Sequence, residues 1–341
     1  MRPFHYERAD NAPFAVKAAT AARMNADAPA TLAPRAFLAG GTTLLDLMKL
    51  DVMRPETLID VNGLAQSDGD ITEDDEGLHL GAFVRMAEAA ASPVVRDKYP
   101  VIAETLTLAA SQQLRNMATL GGNILQRTRC PYFRDMSWQA CNKRNPGSGC
   151  AAMDGHNRTH AILGTSDACI ATYPGDFAQA LIALDAELQV TGPGGARRMK
   201  FSALHRQPGK TPDRETTLKP AELITRITVP AGPWTKRSLY LKVRDRESYE
   251  FALTSAAVAL DLADGKVRAA RIALGGVATV PWRAAEAENA LRDKLLDEAT
   301  ATTAADIAFA TAKPREKNRF KVALGKRTLV RALLQAARME A

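Results

Sequence analysis

The sequence predicts an α+β protein of more than one domain. Three observations carry that expectation. Helical and strand-like runs alternate over the first sixty residues. A Pro230-Ala231-Gly232-Pro233 break divides the chain, and beyond it strand-like runs precede helical ones. The 341 residues also exceed the roughly 150 expected of one domain.

In chain order, residues 13–28 read as an Ala-rich amphipathic helix. Arg35 to Ala39 reads as a short buried strand ending in Gly40-Gly41-Thr42-Thr43. Leu44 to Met48 has helical spacing, and Thr57 to Val61 is β-rich. Residues 62–76 are acidic and read as a solvated hairpin or linker. Leu78 to Phe83 reads as a strand. Ile102, Leu106, Ala110 and Leu114 recur every four residues, which predicts one helix over 101–117. That helix stops at Thr119-Leu120-Gly121-Gly122-Asn123. Residues 126–170 lack periodicity, and a loop of that length needs something else to organise it. A helix is expected from Asp176 to Asp185, a strand from Leu188, and another from Leu223 to Pro230. The last block reads as strands at 238–243, 255–262 and 267–275, then helices at 283–296 and 321–340.

Hydrophobic residues make up 46% and charged residues 24%, a globular balance that argues against disorder or coiled coil. No run approaches the ~18 apolar residues of a membrane helix, so no membrane insertion is expected. Residues 1–10 lack the apolar core of a signal peptide, and a soluble chain made in the cytoplasm is expected. The net charge is +7, but the basic residues are interleaved with 38 acids and aromatics are sparse. No nucleic-acid partner is expected; an acidic partner subunit suits such a surface better.

Two Gly-Gly turns are the first candidate site. Glycine lets backbone approach a ligand and leaves N–H groups to point at phosphate oxygens. Neither turn matches the Rossmann or P-loop pattern, and each alone reads more simply as an ordinary tight turn. The cysteines are a stronger signal. Cys130, Cys141, Cys150 and Cys169 are the chain's only four, and they share one forty-residue window. Their wide spacings lack the close pairs of structural zinc sites. They suit an iron–sulfur cube, where a wrapping loop brings one thiolate to each corner. His156 and His160 keep a mixed Cys/His zinc site open, and with it a non-catalytic zinc-binding interaction protein. Asp176 alone reads as a helix N-cap, and Lys242 with Arg246 as a solvated charge pair.

Together these pieces resemble one family. Phe37-Leu38-Ala39-Gly40-Gly41-Thr42-Thr43-Leu44, Thr119-Leu120-Gly121-Gly122-Asn123-Ile124 and Pro174-x-Asp176 resemble the FAD-binding motifs of the medium, flavoprotein subunits of xanthine dehydrogenase-type molybdenum hydroxylases. Residues 222–230 are similar to the strand closing that FAD domain. Lys242-x3-Arg246 and residues 274–283 resemble the family's C-terminal domain. The insertion at about 126–170 resembles that of flavin subunits carrying an extra [4Fe–4S] cluster. These occur in 4-hydroxybenzoyl-CoA reductase and the periplasmic aldehyde oxidoreductase of enteric bacteria, and Cys130-Pro131-Tyr132-Phe133 and Ser248-Tyr249 look closer to the latter. Tyr173-Pro174-Gly175-Asp176 departs from the commoner His-Pro-Ser-Asp form but keeps the aspartate.

The resemblance implies a two-subdomain FAD-binding domain of the vanillyl-alcohol-oxidase (PCMH) type over 1–230, split at about residue 61. A CO-dehydrogenase-flavoprotein-like α+β domain would follow over 234–341. FAD would lie extended, its diphosphate against N–H groups of Ala39 to Thr43, Gly122 and Asn123. Asp176 would serve the ribose or adenine half, and Leu223, Ile224 and Lys242 the isoalloxazine. Phe37, Leu38, Leu44, Ala110, Leu114, Ala118, Thr119 and Ile124 complete the expected FAD set, and the four cysteines would hold [4Fe–4S]. The implied function is electron transfer within a heterotrimeric aldehyde oxidoreductase. Its large subunit would hold molybdopterin, its small subunit [2Fe–2S] clusters, and an external acceptor would take the electrons. Related flavin subunits of carbon monoxide dehydrogenase, xanthine dehydrogenase or hydroxybenzoyl-CoA reductase are the alternative. The compartment implied is the periplasm, reached with a partner carrying a twin-arginine signal; the alternative is the cytoplasm.

Overall fold

The computed structural model describes residues 1–21 and 29–340, arranged around three sheets. The first is parallel: β1 (His5–Arg8), β2 (Arg35–Leu38) and β3 (Thr57–Asp60), with β3 in the middle. Parallel strands need crossovers that cover the sheet. The helix Ala12–Thr20 provides one, packing Ala15, Ala18 and Ala19 beside Ile59. Asn11 starts it by accepting from the Phe14 N–H. The helix was expected over 13–28; residues 22–28 lie outside the described residues. The first Gly-Gly turn forms the second crossover, leaving β2 and entering the helix Leu44–Lys49.

The second sheet is antiparallel. It holds β4 (Ile71–Asp74), β5 (Gly77–Gly81), β6 (Glu187–Gly192), β7 (Gly195–Lys200) and β8 (Leu223–Pro230), in the order β4-β5-β8-β6-β7. Its inner face packs Leu78, Leu80, Leu188, Ile227 and Val229 against the helices Pro100–Thr107 and Phe177–Ala183. The acidic stretch expected as a hairpin or linker is in part a helical turn, 62–68, and only then the β4–β5 hairpin. The single helix expected over 101–117 is two. Ala110 adopts φ +49°, which ends the first, and the Ser111 side chain accepts from Leu114 N to start Gln112–Met117. No glycine or proline signals that break.

The third sheet has β9 (Ser238–Val243), β10 (Thr254–Ala263), β11 (Lys266–Gly275) and β12 (Trp282–Arg283), in the order β12-β11-β10-β9. Val258, Leu260, Ile272 and Leu274 bury one face under the helices Ala285–Leu291, Glu298–Ala308 and Phe320–Ala337. The helix expected over 283–296 stops at Leu291, where Arg292 turns extended. The Ala/Thr-rich helix Glu298–Ala308 has too weak an apolar stripe to stand out in the sequence; an Asp297/Thr300 capping box begins it.

The cysteine-bearing stretch folds as a strap between these bodies. Its only helix among the described residues is one turn, Pro131–Arg134. Phe133 and Cys141 pack with Leu47 and Val52, behind the first Gly-Gly turn. Farther along, Ile162 and Leu163 enter the core of the third sheet, and Ile162 N donates to Val277 O at 2.8 Å. One strap therefore touches both the first subdomain and the C-terminal domain.

Candidate functional site

The two glycine turns meet face to face. A Cβ at Gly40 would lie 2.0 Å from the Met117 carbonyl oxygen, so only glycine lets the turns approach this closely. Gly41 has φ +71°, which bends the chain into its helix. Asn62 donates to Ala39 O at 3.0 Å and accepts from Arg85 at 2.8 Å, and Arg85 also reaches the Met117 carbonyl. The turns are thus tied across the subdomain boundary.

Between them lies a cleft of about 230 Å³, walled by residues of both turns and by Phe37, Ala118, Leu223 and Ile224. Among the described residues, the N–H groups of Gly40, Gly41, Thr42 and Thr43 have no backbone acceptor. The second turn differs. Gly122 N donates to the Thr119 hydroxyl at 3.1 Å and Asn123 N to the Thr119 carbonyl at 2.8 Å. The first turn therefore supplies the free donors, and the second supplies the opposing wall.

Two further cavities continue from this cleft. The next, about 220 Å³, shares Met53, Leu125 and Arg127 with the first and runs past Ile124, Tyr173 and His205. The last, about 200 Å³, shares Thr128, Thr172 and Tyr173 and ends at Asp176, Phe251 and Gly276. A string of cavities sharing walls, with free N–H donors near one end, fits an extended dinucleotide such as FAD.

Asp176 does not cap its helix. Its carboxylate accepts from Lys242 Nζ at 2.7 Å and from the Tyr240 hydroxyl at 2.5 Å, and all three side chains are buried. Burial pushes the Asp176 carboxyl up, and Lys242 and Tyr240 push it back only in part. Lys242 also donates to Leu108 O and is no solvated charge. Asp176 and Lys242 thus act at one place, not at opposite halves of an extended dinucleotide. Leu38, Ala110, Leu114, Asn123 and Lys242 line none of the three cavities.

All four cysteines, Cys130, Cys141, Cys150 and Cys169, line one small cavity beside this string. They are free thiols. The Cys169 thiol hydrogen-bonds to Cys150, and that contact with nearby backbone N–H groups lowers the Cys150 thiol, while Cys169 is raised. Burial pushes Cys130 up to about 12. Among the described residues, no three His, Cys, Asp or Glu side chains converge on a single metal-ion position, although His160 Nε2 lies 3.1 Å from Cys130 Sγ. A cube makes a different demand. Each thiolate bonds its own iron, so the sulfurs ring a cavity and need not meet at a point. The donor set fits that demand, with N–H groups of Tyr132, Phe133, Ala152 and Ala171 directed at three of the sulfurs.

Sequence reasoning missed the residues that join the two sites. Glu215 pairs with Arg127, on the wall of the first two cavities, and with Lys143, on the wall of the cysteine cavity, the latter at 2.9 Å. Burial alone would raise the Glu215 carboxyl; Arg127 and Lys143 reverse that and hold it at about 2. No local pattern links residues 127, 143 and 215; only the tertiary fold brings them together.

Comparison with known proteins agrees with this architecture. Residues 12–232 match the family described as the FAD binding domain in molybdopterin dehydrogenase, and residues 239–338 match the CO dehydrogenase flavoprotein C-terminal domain. The chain is 47% identical to the aldehyde oxidoreductase FAD-binding subunit PaoB of Escherichia coli, over 94% of this chain and 99% of that one. It is 28% identical to the carbon monoxide dehydrogenase medium chain of Afipia carboxidovorans, over 83% and 80% of the two chains. Among solved structures, carbon monoxide dehydrogenase from Hydrogenophaga pseudoflava superposes with a TM-score of 0.73 at 26% identity, covering 98% of this chain and 97% of that one. A non-catalytic zinc protein is therefore set aside: the chain belongs to the FAD-binding medium subunits of the molybdenum hydroxylases, a family of oxidoreductases.

Proposed function

We propose that this chain is the FAD and [4Fe–4S] electron-transfer subunit of a heterotrimeric, molybdenum-dependent aldehyde oxidoreductase. The observation that carries the cluster is the convergence of all four cysteines on one cavity that adjoins the second and third cavities of the string. The 47% identity to an aldehyde oxidoreductase subunit supports the substrate class. Its partners would be a large molybdopterin subunit, where the aldehyde is oxidised, and a small subunit with [2Fe–2S] clusters. Electrons would pass through FAD to an external acceptor.

Bound FAD would supply the exchange between one-electron carriers and a two-electron acceptor. The residues of this chain bind and orient. Gly40 to Thr43 offer N–H donors to the diphosphate, and the side chains of Phe37, Leu223 and Ile224 give the cleft apolar walls. Cys130, Cys141, Cys150 and Cys169 would hold the cluster, and the N–H groups around their sulfurs would offset thiolate charge. Arg129 and Arg134 brace the cysteine strap on Asp46.

We place the complex in the periplasm, exported folded with a partner that carries a twin-arginine signal. The test is purification of the native complex. A flavin band, a broad iron–sulfur absorption exceeding that of the small subunit, two companion chains and aldehyde oxidation are expected. Flavin without iron on this chain overturns the cluster assignment. Oxidation of carbon monoxide or a purine in place of an aldehyde overturns the substrate class, and recovery from the cytoplasmic fraction alone overturns the compartment.

A further inference from the structure

Arg127 leaves most of its N–H donors unpaired. Its side chain is 9% exposed. Nε donates to Glu215, and the guanidinium lies over the Phe133 ring, 4.8 Å from its centroid. Nη1 and Nη2 are shut off from solvent, and among the described residues neither has a hydrogen-bond partner. Four N–H bonds of a buried cation left unpaired are costly unless a ligand meets them.

Its position says which ligand. Arg127 lines both the cleft between the glycine turns and the cavity that follows it, so it stands at their junction. A dinucleotide threaded through these cavities crosses that junction, and its diphosphate is the part that calls for a cation beside N–H donors. The free N–H groups of Gly40 to Thr43 belong to the same cleft. The carboxylates on these walls are already engaged. Glu222 is held by Arg197 at 2.7 and 2.8 Å and by the Lys219 N–H, and Glu215 by Arg127 and Lys143. The acceptors that Arg127 Nη1 and Nη2 lack must come from outside the chain.

We infer that Arg127 is a diphosphate-binding residue of the flavin cleft, contributed by the cysteine-bearing strap and aimed by Glu215 and Phe133. The inference rests on FAD as the ligand. A planar guanidinium matches two phosphate oxygens at once, which an ammonium cannot do. Because Glu215 also pairs with Lys143 in the wall of the cysteine cavity, the cluster loop and the flavin share one anchoring network.

The test uses the purified complex, stripped of FAD and refilled, carrying Arg127→Met or Arg127→Lys. Affinities for FAD, ADP and riboflavin are read by flavin fluorescence and by competition. Arg127→Met should weaken FAD and ADP alike, by about ten- to a hundredfold for a lost charge-assisted contact, and leave riboflavin unchanged. Arg127→Lys should keep the charge, lose the fork and fall between. FAD weakened with ADP unchanged would place Arg127 at the isoalloxazine and overturn the assignment, as would unchanged affinity for both. If Arg127→Met does not assemble, the lysine variant decides: equal loss for FAD and ADP supports the inference, and wild-type affinity for both overturns it. A wild-type complex that takes up no FAD refutes the flavin reading itself, a separate result.

Discussion

Arg134 of the cysteine strap grips Asp46 of the helix behind the first glycine turn with a two-point ion pair, Nη1–Oδ2 2.6 Å and Nη2–Oδ1 3.1 Å. Arg129 adds a contact to the same carboxylate and one to the Thr43 hydroxyl, both at 3.3 Å. The Arg134 bond holds the Asp46 carboxyl below its ordinary range. The loop expected to carry iron and the turn expected to carry phosphate are therefore mechanically joined. Asp46→Ala should weaken FAD retention about fivefold, for ~1 kcal/mol of a half-exposed network, and lower iron content with it. Iron and flavin are assayed per chain in the same preparation; loss of one with full retention of the other would show that the sites are independent.

Gly40 gives a sharper test of the turns. Its ideal Cβ would sit 2.0 Å from Met117 O and 2.8 Å from Ala118 Cα, both backbone atoms that cannot swing away. Gly40→Ala should cost more than the ~1–3 kcal/mol of ordinary overpacking and abolish flavin retention. Gly194 is the control, since a Cβ there meets nothing within 4 Å. Gly194→Ala should stay within ~0.5 kcal/mol of the parent in thermal unfolding and bind FAD normally.

Cys141 tests the cluster. It lies in the packed patch with Leu47, Val52 and Phe133, and it lines the cavity with the other three thiols. Serine there keeps the volume and removes the soft ligand. Cys141→Ser should lower iron and the broad visible absorption while the flavin band persists. Unchanged iron per chain would take Cys141 out of the ligand set.

Legibility followed how local each constraint is. The glycine turns could be read because close backbone approach is written in the residue type itself. The cysteines could be read because four scarce residues fell in one window. Lys242 and Asp176 were visible only as separate charges, since their pairing spans 66 positions and depends on the fold bringing β9 to the residue that precedes the helix Phe177–Ala183. Arg127 carried no signal at all, because its meaning lies in two nitrogens that nothing within the fold satisfies. The break at Ala110 was hidden because a left-handed alanine looks like any other helical alanine in sequence.

The Lys242–Asp176 pair should be unforgiving of single changes. Lys242→Met leaves a buried carboxylate with Tyr240 as its hydrogen-bond donor and Arg244 as its remaining nearby charge, and breaking such a pair costs ~3–5 kcal/mol. Pairing Lys242→Met with Asp176→Asn removes the stranded charge and should recover part of the thermal midpoint. Equal midpoints for single and double variants would mean that the stranded charge is not the source of the loss.

His205 predicts how the second cavity responds to acid. Its Nε2 lies 2.9 Å from Ile124 O, and Tyr173 and Phe201 pack edge-on against its ring. Burial lowers its pKa from 6.5 to about 4, outweighing the Ile124 carbonyl and Glu215, which act the other way. The folded chain therefore keeps this imidazole neutral over a range where the unfolded chain protonates it. Between pH 6.5 and about 4 the unfolded state binds more protons, so stability rises with pH there and is lost as pH falls through that window. The loss attributable to this one group is at most ~3 kcal/mol. His205→Gln can still donate to Ile124 O but cannot titrate, so its thermal midpoint should fall less than that of the parent between pH 6.5 and 4. Parallel curves for the two proteins would assign the acid sensitivity to other groups, such as His160, which burial also lowers from 6.5 to about 4.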